Sequence, residues 1–148
     1  MKAAFLSLGG LLLGVVVVAQ QDSPKGRNAA ESRFDYAELA KAPEKVRLRR
    51  NPLAGDDTAV AGGKKLFEQH CAECHGATGE GGKKAPSLVA AEVQDATPGA
   101  LFWVLTNGVV RRGMPVWSKL PEPQRWQLVS YLQTLKMNMP AAAATTAK

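Results

Sequence analysis

The sequence predicts an all-α fold. Apolar residues recur at spacings of three and four in three segments, and no segment shows the sustained alternation of a half-buried strand. Capping residues and a helix-ending glycine mark the limits of these segments. The length of 148 residues allows one domain. We therefore expect about three main helices joined by loops.

The three helices are expected between about residues 58 and 136. The first covers about 58–71 and follows the acidic residues Asp56 and Asp57, which favour a helix N-terminus. The second begins where Thr97 can cap a helix with Pro98 in its first turn, and Gly108 follows its end. The third covers about 121–136. Its apolar stripe consists of Leu128, Tyr131, Leu132 and Leu135.

The two ends are expected to lie outside the domain. Residues 1–19 have a short positive start, an apolar run and small residues before the expected cleavage after Ala19, as a secretory signal peptide has. The apolar run of about 17 residues is at the low edge of a bilayer span, so an uncleaved anchor is the alternative. Residues 20–56, with scattered prolines and glycines, are expected to be a loosely ordered N-terminal extension or linker. Residues 137–148 are expected to be a disordered tail, which leaves 57–136 as the domain.

Size and charge limit the function classes. The expected domain of about 80 residues has a size at which a staple or a cofactor is often needed. The net charge of +6 is spread along the chain, without the dense basic stripe or module that nucleic-acid binding favours. These cations are either solvated surface charge or a means of steering an acidic partner.

The most specific motif is Cys-Ala-Glu-Cys-His at residues 71–75. Two thiols three positions apart can each add to one vinyl group of a haem, and the imidazole that follows can ligate its iron. The C-x-x-C-H pattern is typical of c-type haem attachment. A thioredoxin-like pair would need a βαβ setting, and zinc would need four ligands within residues 70–75. A disulfide between Cys71 and Cys74 would leave His75 unexplained.

A second iron ligand is expected between the second and third helices. Met114 lies there between a flexible Gly113 and a rigid Pro115, far from His75 in sequence. Haem iron in electron-transfer proteins is commonly held by His and Met, and the thioether raises the reduction potential. The alternative is a core methionine that fills a gap.

Residues 57–136 resemble the class I c-type cytochromes, the small single-haem electron carriers. The resemblance depends on an ordered set of motifs: GKKLF at 63–67, CAECHG at 71–76, APSL at 85–88, NG at 107–108, GMP at 113–115 and LVSYL at 128–132. The stretch 101–135 is also similar to periplasmic cytochromes associated with dehydrogenases or respiratory oxidases. The resemblance implies a compact cytochrome c fold around one haem.

The resemblance also implies roles for single residues. One haem c would be bound covalently through Cys71 and Cys74, with His75 and Met114 as the metal ligands. Pro86 would lend its backbone carbonyl to Nδ1–H of His75, which fixes the ring and raises its basicity; a turn proline without this role is the alternative. The walls of the pocket would be Leu88, Leu101, Val104 and Leu105.

Two further expectations concern packing. Gly63 would allow a close crossing of the first and last helices, with Phe67 against Leu128 and Tyr131; a helical glycine costs about 1 kcal/mol relative to Ala, which close approach would explain. The extension 20–56 departs from the compact family pattern and would either wrap the domain or dock on a partner. Its apolar cluster consists of Phe34, Tyr36 and Leu39.

The function that the resemblance implies is one-electron transfer between periplasmic or membrane redox partners, such as a dehydrogenase or terminal oxidase. With both axial positions of the iron filled, we expect no catalysis and no catalytic residues. Nucleic acid is not an expected partner, a membrane is one only if the N-terminal segment stays attached, and the protein is expected to be a monomer or a complex subunit. The alternatives are a haem-carrying subunit of a larger oxidoreductase, and a haem enzyme or gas sensor with a vacated distal site.

Overall fold

The computed structural model describes residues 36–135, and all the regular elements in this range are helical. In chain order they are α1 (Ala37–Ala40), α2 (Glu44–Arg47), α3 (Asp57–His70), α4 (Ala72–His75), α5 (Ala91–Gln94), α6 (Pro98–Asn107), a 3₁₀ turn (Val110–Arg112) and α7 (Glu122–Leu132). Pairing of strand type within 36–135 is limited to an isolated antiparallel bridge between Val109 and Met114. The predicted all-α class is confirmed. The predicted signal segment and the tail lie outside the described residues.

The three long helices α3, α6 and α7 are those that the sequence predicts, and their caps form as expected. The Asp56 carboxylate accepts hydrogen bonds from the first turn of α3. The Thr97 hydroxyl accepts from Ala100 N at the start of α6, and Gly108 ends that helix at φ 65°. These caps satisfy backbone groups that a helix end leaves unpaired.

The last helix ends earlier than predicted. α7 stops at Leu132, and the chain continues to residue 135 in a tighter turn. The Tyr131 carbonyl accepts from Thr134 N at 2.9 Å and from the Thr134 hydroxyl at 2.7 Å. A threonine hydroxyl that bonds locally to the backbone competes with continued helical pairing, which explains the early end.

The centre of the fold is the crossing of α3 and α7. A Cβ at Gly63 would overlap the carbonyl oxygen of Gln127, so the two backbones approach more closely there than any other residue would allow. Phe67 is fully buried and its ring centroid lies 5.3 Å from that of Tyr131. The expected close crossing is therefore present.

The described part of the extension, residues 36–56, packs onto the domain, whereas the sequence suggested a loosely ordered segment. α1 and α2 both contact α6, where a Cβ at Gly99 would overlap the carbonyl oxygen of Val46. Asn51 is 6% exposed and its amide donates to Ser130 Oγ at 2.8 Å and to Trp126 O at 3.3 Å. This part therefore packs on the domain, as one of the two expected roles of the extension requires; docking on a partner stays an expectation.

Stacked aromatic and guanidinium groups fix the same segment from outside. The rings of Phe102 and Trp126 stack with centroids 4.1 Å apart. The guanidinium carbon of Arg49 lies 4.8 Å and 5.2 Å from these two centroids, and its Nη2 donates to Glu122 Oε1 at 2.6 Å. Arg125 lies 4.7 Å from the Phe102 centroid. Cation–π contacts of this kind hold the chain between α2 and α3 against α6 and α7.

Among the helices within 36–135, none has the length and apolar character that crossing a bilayer requires.

Candidate functional site

A mostly apolar cavity of about 340 Å³ brings all five predicted cofactor-binding residues together. It lies between the C-terminal end of α3, helix α6 and the loops that follow them. The residues predicted to attach the haem, ligate its iron or hold the histidine ring all line the cavity; they are Cys71, Cys74, His75, Met114 and Pro86. The predicted apolar walls Leu88, Leu101, Val104 and Leu105 line it too.

The cysteines reach this cavity because α3 ends beside it and α4 continues from it. The carbonyl of Cys71 accepts from the backbone N–H of Cys74 at 3.1 Å and of His75 at 3.0 Å, so the motif forms one tight helical turn. Both thiols are free, so no disulfide joins them. Burial, with a smaller contribution from Cys74, raises the pKa of the Cys71 thiol to about 11, which keeps it protonated at neutral pH.

His75 is buried, with 9% of its surface exposed, and its ring is tied down on one side. Its Nδ1 lies 2.9 Å from the carbonyl oxygen of Pro86, the contact that the family resemblance implied. Burial lowers the pKa of His75, and the bond to Pro86 opposes this in part. In the neutral ring, Nδ1–H then donates to Pro86, and Nε2 keeps a lone pair that can bind a metal.

A glycine-rich loop carries Pro86 to the histidine. Gly81 has φ 76° and its N–H donates to His75 O at 2.7 Å. A Cβ at Gly81 would overlap the peptide that joins Pro86 and Ser87. Leu88 N donates to Gly79 O at 2.7 Å, which closes the loop. The sequence predicted only irregular structure here, and the glycines prove to be what allows the Pro86 carbonyl to approach His75.

Met114 is placed by a short paired loop. Val109 N donates to Met114 O at 3.0 Å and Met114 N donates to Val109 O at 3.2 Å. Gly113 precedes it at φ 88°, a conformation that favours glycine. Trp117 N donates to Leu105 O at 3.0 Å, and the Trp117 ring lies 5.1 Å from that of His70. The half-buried Met114 is therefore held at the cavity in two ways. Its own backbone pairs with Val109, and the bond from Trp117 to Leu105 fastens its loop to α6.

Sequence reasoning missed several residues at the site. Tyr36 and Leu39 of the extension line the cavity, and the Tyr36 hydroxyl donates to Ser87 O at 3.0 Å. Gln94 Nε2 donates to Leu88 O at 2.6 Å and to Leu132 O at 3.0 Å, which ties the loop to α7. The one signal available in the sequence was the apolar cluster of the extension.

The donor set fits a haem better than the alternatives. It offers two thiols, an imidazole with one free nitrogen and a thioether around one apolar space, the groups that hold a haem c. Within residues 36–135, no three or more His, Cys, Asp or Glu side chains are grouped as a metal site would need, which removes support from the zinc interpretation. The same range contains no βαβ unit for a thioredoxin-like pair.

Known proteins are similar to part of this chain in sequence. Residues 58–132 match the protein family described as Cytochrome C oxidase, cbb3-type, subunit III. The chain is 30% identical over 93 residues to Cytochrome c550 of Pseudomonas aeruginosa, covering 60% of this chain and 64% of that protein. It is 39% identical over 64 residues to the Cbb3-type cytochrome c oxidase subunit CcoP of Rubrivivax gelatinosus, covering 43% of this chain and 21% of that subunit.

The fold is also that of a solved structure. The crystal structure of Cytochrome CL from Methylophaga aminisulfidivorans superposes with a TM-score of 0.52 at 25% identity, covering 68% of this chain and 72% of that one. The CcoP subunits are much longer, because the matched region spans only 19% to 21% of their length.

Proposed function

This chain belongs to the family of cytochrome c domains described as Cytochrome C oxidase, cbb3-type, subunit III, and from this we propose that it carries single electrons on one covalently bound haem c. Cys71 and Cys74 would hold the haem through thioether bonds, and His75 and Met114 would ligate its iron. The observation that carries the proposal is the meeting of these four side chains in one apolar cavity. When bound, the haem supplies an iron that cycles between the ferric and ferrous states.

The chain's own residues set the conditions for this chemistry. The Pro86 carbonyl holds Nδ1–H of His75 and so presents Nε2 as the basic nitrogen. As an iron ligand, the Met114 thioether would favour the ferrous state and raise the reduction potential. The leucine walls would limit the contact of a bound haem with water, which would lower the cost of reorganising solvent when the charge changes. If His75 and Met114 both ligated the iron, no position on it would be open to oxygen or substrate, so we propose a carrier that is not itself an enzyme.

The proposed location is the periplasm, where the expected signal segment 1–19 would deliver the chain, either free or anchored to the inner membrane. The proposed partners are redox proteins such as a dehydrogenase or a terminal oxidase. A second candidate is a haem-carrying subunit of a larger oxidoreductase, which the family description and the CcoP relatives favour. Purification of the native complex separates the two, because a free carrier elutes alone.

Haem staining and intact-mass measurement of the native protein test the cofactor. We expect a coloured protein whose mass exceeds that of the processed chain by one haem, with no free thiol. A colourless protein with two free thiols would contradict the proposed function.

Met114→Ala tests the second ligand. We expect the haem to remain attached, the potential to fall, the far-red band typical of His/Met-ligated ferric haem to disappear, and carbon monoxide to bind the ferrous form rapidly. Met139→Ala is the matched control and should leave the spectrum unchanged. A Met114→Ala protein with the wild-type spectrum would show that another group ligates the iron.

A further inference from the structure

Residues 36–56, here called the strap, are attached to the domain at both ends. At the far end Asn51 is hydrogen-bonded to Ser130 of α7, and Arg49 to Glu122 at the start of α7. In the middle, the Val46 carbonyl packs directly on Gly99 of α6. The near end reaches the haem cavity, where Tyr36 belongs to the lining. The strap is therefore held in a defined position.

The near end makes a specific polar contact with the loop that serves His75. The half-buried Tyr36 hydroxyl donates to the carbonyl oxygen of Ser87 at 3.0 Å, across 51 positions of sequence. Ser87 directly follows Pro86, whose own carbonyl oxygen lies 2.9 Å from His75 Nδ1. Two consecutive carbonyls of this loop therefore accept from different donors. Ser87 O accepts from the Tyr36 hydroxyl of the strap, and Pro86 O accepts from His75 Nδ1–H.

The same loop is confined from its other side. Gly81 lies so close to the Pro86–Ser87 peptide that no side chain fits between them, and Leu88 N is bonded to Gly79 O. The position of the Pro86 carbonyl therefore depends on attachments at Ser87 and Leu88. Removal of the Tyr36 hydroxyl would take away the attachment on the strap side, and the loop would be freer to move away from the histidine.

We propose that the strap closes one side of the haem cavity and that Tyr36 is a positioning residue for the His75 imidazole, acting through Ser87 and Pro86. The inference rests on the proposed function, because it concerns His75 as the iron ligand. A firm Nδ1–H···O=C bond makes an imidazole more electron-donating, which favours the ferric state. Loosening that bond makes the potential rise.

Tyr36→Phe in the full-length haem-loaded protein tests this inference, with Tyr131→Phe as the matched control. Each removes one hydroxyl and keeps the ring, and Tyr131 lies in the α3–α7 core against Phe67. In Tyr36→Phe we expect a higher midpoint potential and a several-fold faster exchange of the His75 Nδ1 proton with deuterium, measured by NMR of the ferrous form. Tyr131→Phe should change neither quantity.

The result that overturns the inference is a coloured Tyr36→Phe protein with wild-type potential and wild-type proton exchange, whatever its thermal stability. A lowered potential, or equal changes in Tyr131→Phe, also contradicts it. These outcomes leave the proposed function intact. A colourless wild-type protein, or one whose His75 does not ligate iron, instead contradicts the proposed function and the inference together.

Discussion

At the scale of single residues, the environment of His75 depends on backbone that folds back on itself through glycine. The Pro86 carbonyl reaches the ring because Gly81 lies in the left-handed region with its α-carbon against the Pro86–Ser87 peptide. The next residue, Gly82, has open space around it and no such backbone constraint. Two neighbouring glycines therefore differ in what they contribute.

Replacement of these glycines by alanine separates the contributions. Gly81→Ala should lower the free energy of unfolding by at least ~2 kcal/mol, because left-handed backbone costs an alanine about 1–2 kcal/mol and the overlap adds to this. The His75 Nδ1 proton should also exchange faster. Gly82→Ala should stay within ~0.5 kcal/mol of wild type. Denaturant unfolding and NMR exchange check both variants; equal stability of the two would contradict the assigned role of Gly81.

Arg49 combines an exposed ion pair with an aromatic stack, and pH separates the two. The hydrogen bond from Arg49 to Glu122 lowers the pKa of the Glu122 carboxyl below the ordinary 4.5, and the hydrogen bond from Trp126 makes a smaller contribution in the same direction. A carboxyl whose folded pKa is lowered stabilises the protein above its unfolded pKa and loses that contribution as pH falls through the folded value. The stack of Arg49 on Phe102 and Trp126 does not depend on this titration.

In Arg49→Gln we therefore expect the pKa of Glu122 to rise, as a carboxyl NMR titration measures. The stability deficit against wild type should shrink as pH falls below about 4.5 and level off at the cation–π contribution of about 0.5–1 kcal/mol. Lys64→Gln, which breaks only the exposed pair with Glu68 at 3.9 Å, should have almost no effect at any pH. A deficit that grows in acid would contradict this assignment.

At the scale of elements, the crossing of α3 and α7 is the contact on which the core is built. Gly62 and Gly63 are adjacent in α3, but they face α7 differently. A Cβ at Gly63 would meet the Gln127 backbone, whereas one at Gly62 would lie about 3.1 Å from the end of the Gln127 side chain. A side chain can rotate away at little cost, and helical backbone cannot.

Gly63→Ala should therefore destabilise the protein by about 1–3 kcal/mol through overpacking, in spite of a gain of about 1 kcal/mol in helix propensity. Gly62→Ala should be neutral or more stable by up to ~1 kcal/mol. Thermal and denaturant unfolding of the two variants provide the measurement. If Gly63→Ala were as stable as Gly62→Ala, the crossing would have to be looser than the structure describes.

The elements that the sequence predicts correctly are those whose signals are local. Apolar periodicity and caps such as Asp56 and Thr97 lie within one helix, so α3, α6 and most of α7 could be predicted. Helices α1, α2 and α5 have four residues each, too few for one clear period, and α1 and α2 are held by packing on α6. The Tyr36–Ser87 bond joins residues 51 apart, which no spacing rule detects. Pro86 was expected only through the family resemblance.

At the scale of the whole molecule, the cavity lies beside the main core. Residues of that core, among them Leu101, Leu105 and Leu132, also line the cavity. A haem in this cavity would cover apolar side chains that otherwise face solvent, and every 100 Å² of apolar surface covered contributes about 2.5 kcal/mol. The whole stability of a domain is only about 5–15 kcal/mol. If the proposed haem fills the cavity, it completes this side of the core, so we expect its attachment and the folding of the chain to depend on each other.

Cys71→Ala combined with Cys74→Ala tests this dependence, because it removes both attachment points and leaves His75 and Met114 in place. We expect a colourless protein that has lost most of its helical circular dichroism and its cooperative thermal transition. Met114→Ala is the control, since it should keep the haem and unfold cooperatively. If the colourless double variant unfolded cooperatively near the wild-type temperature, the side chains alone would suffice for the core, and the haem would bind to a fold that forms without it.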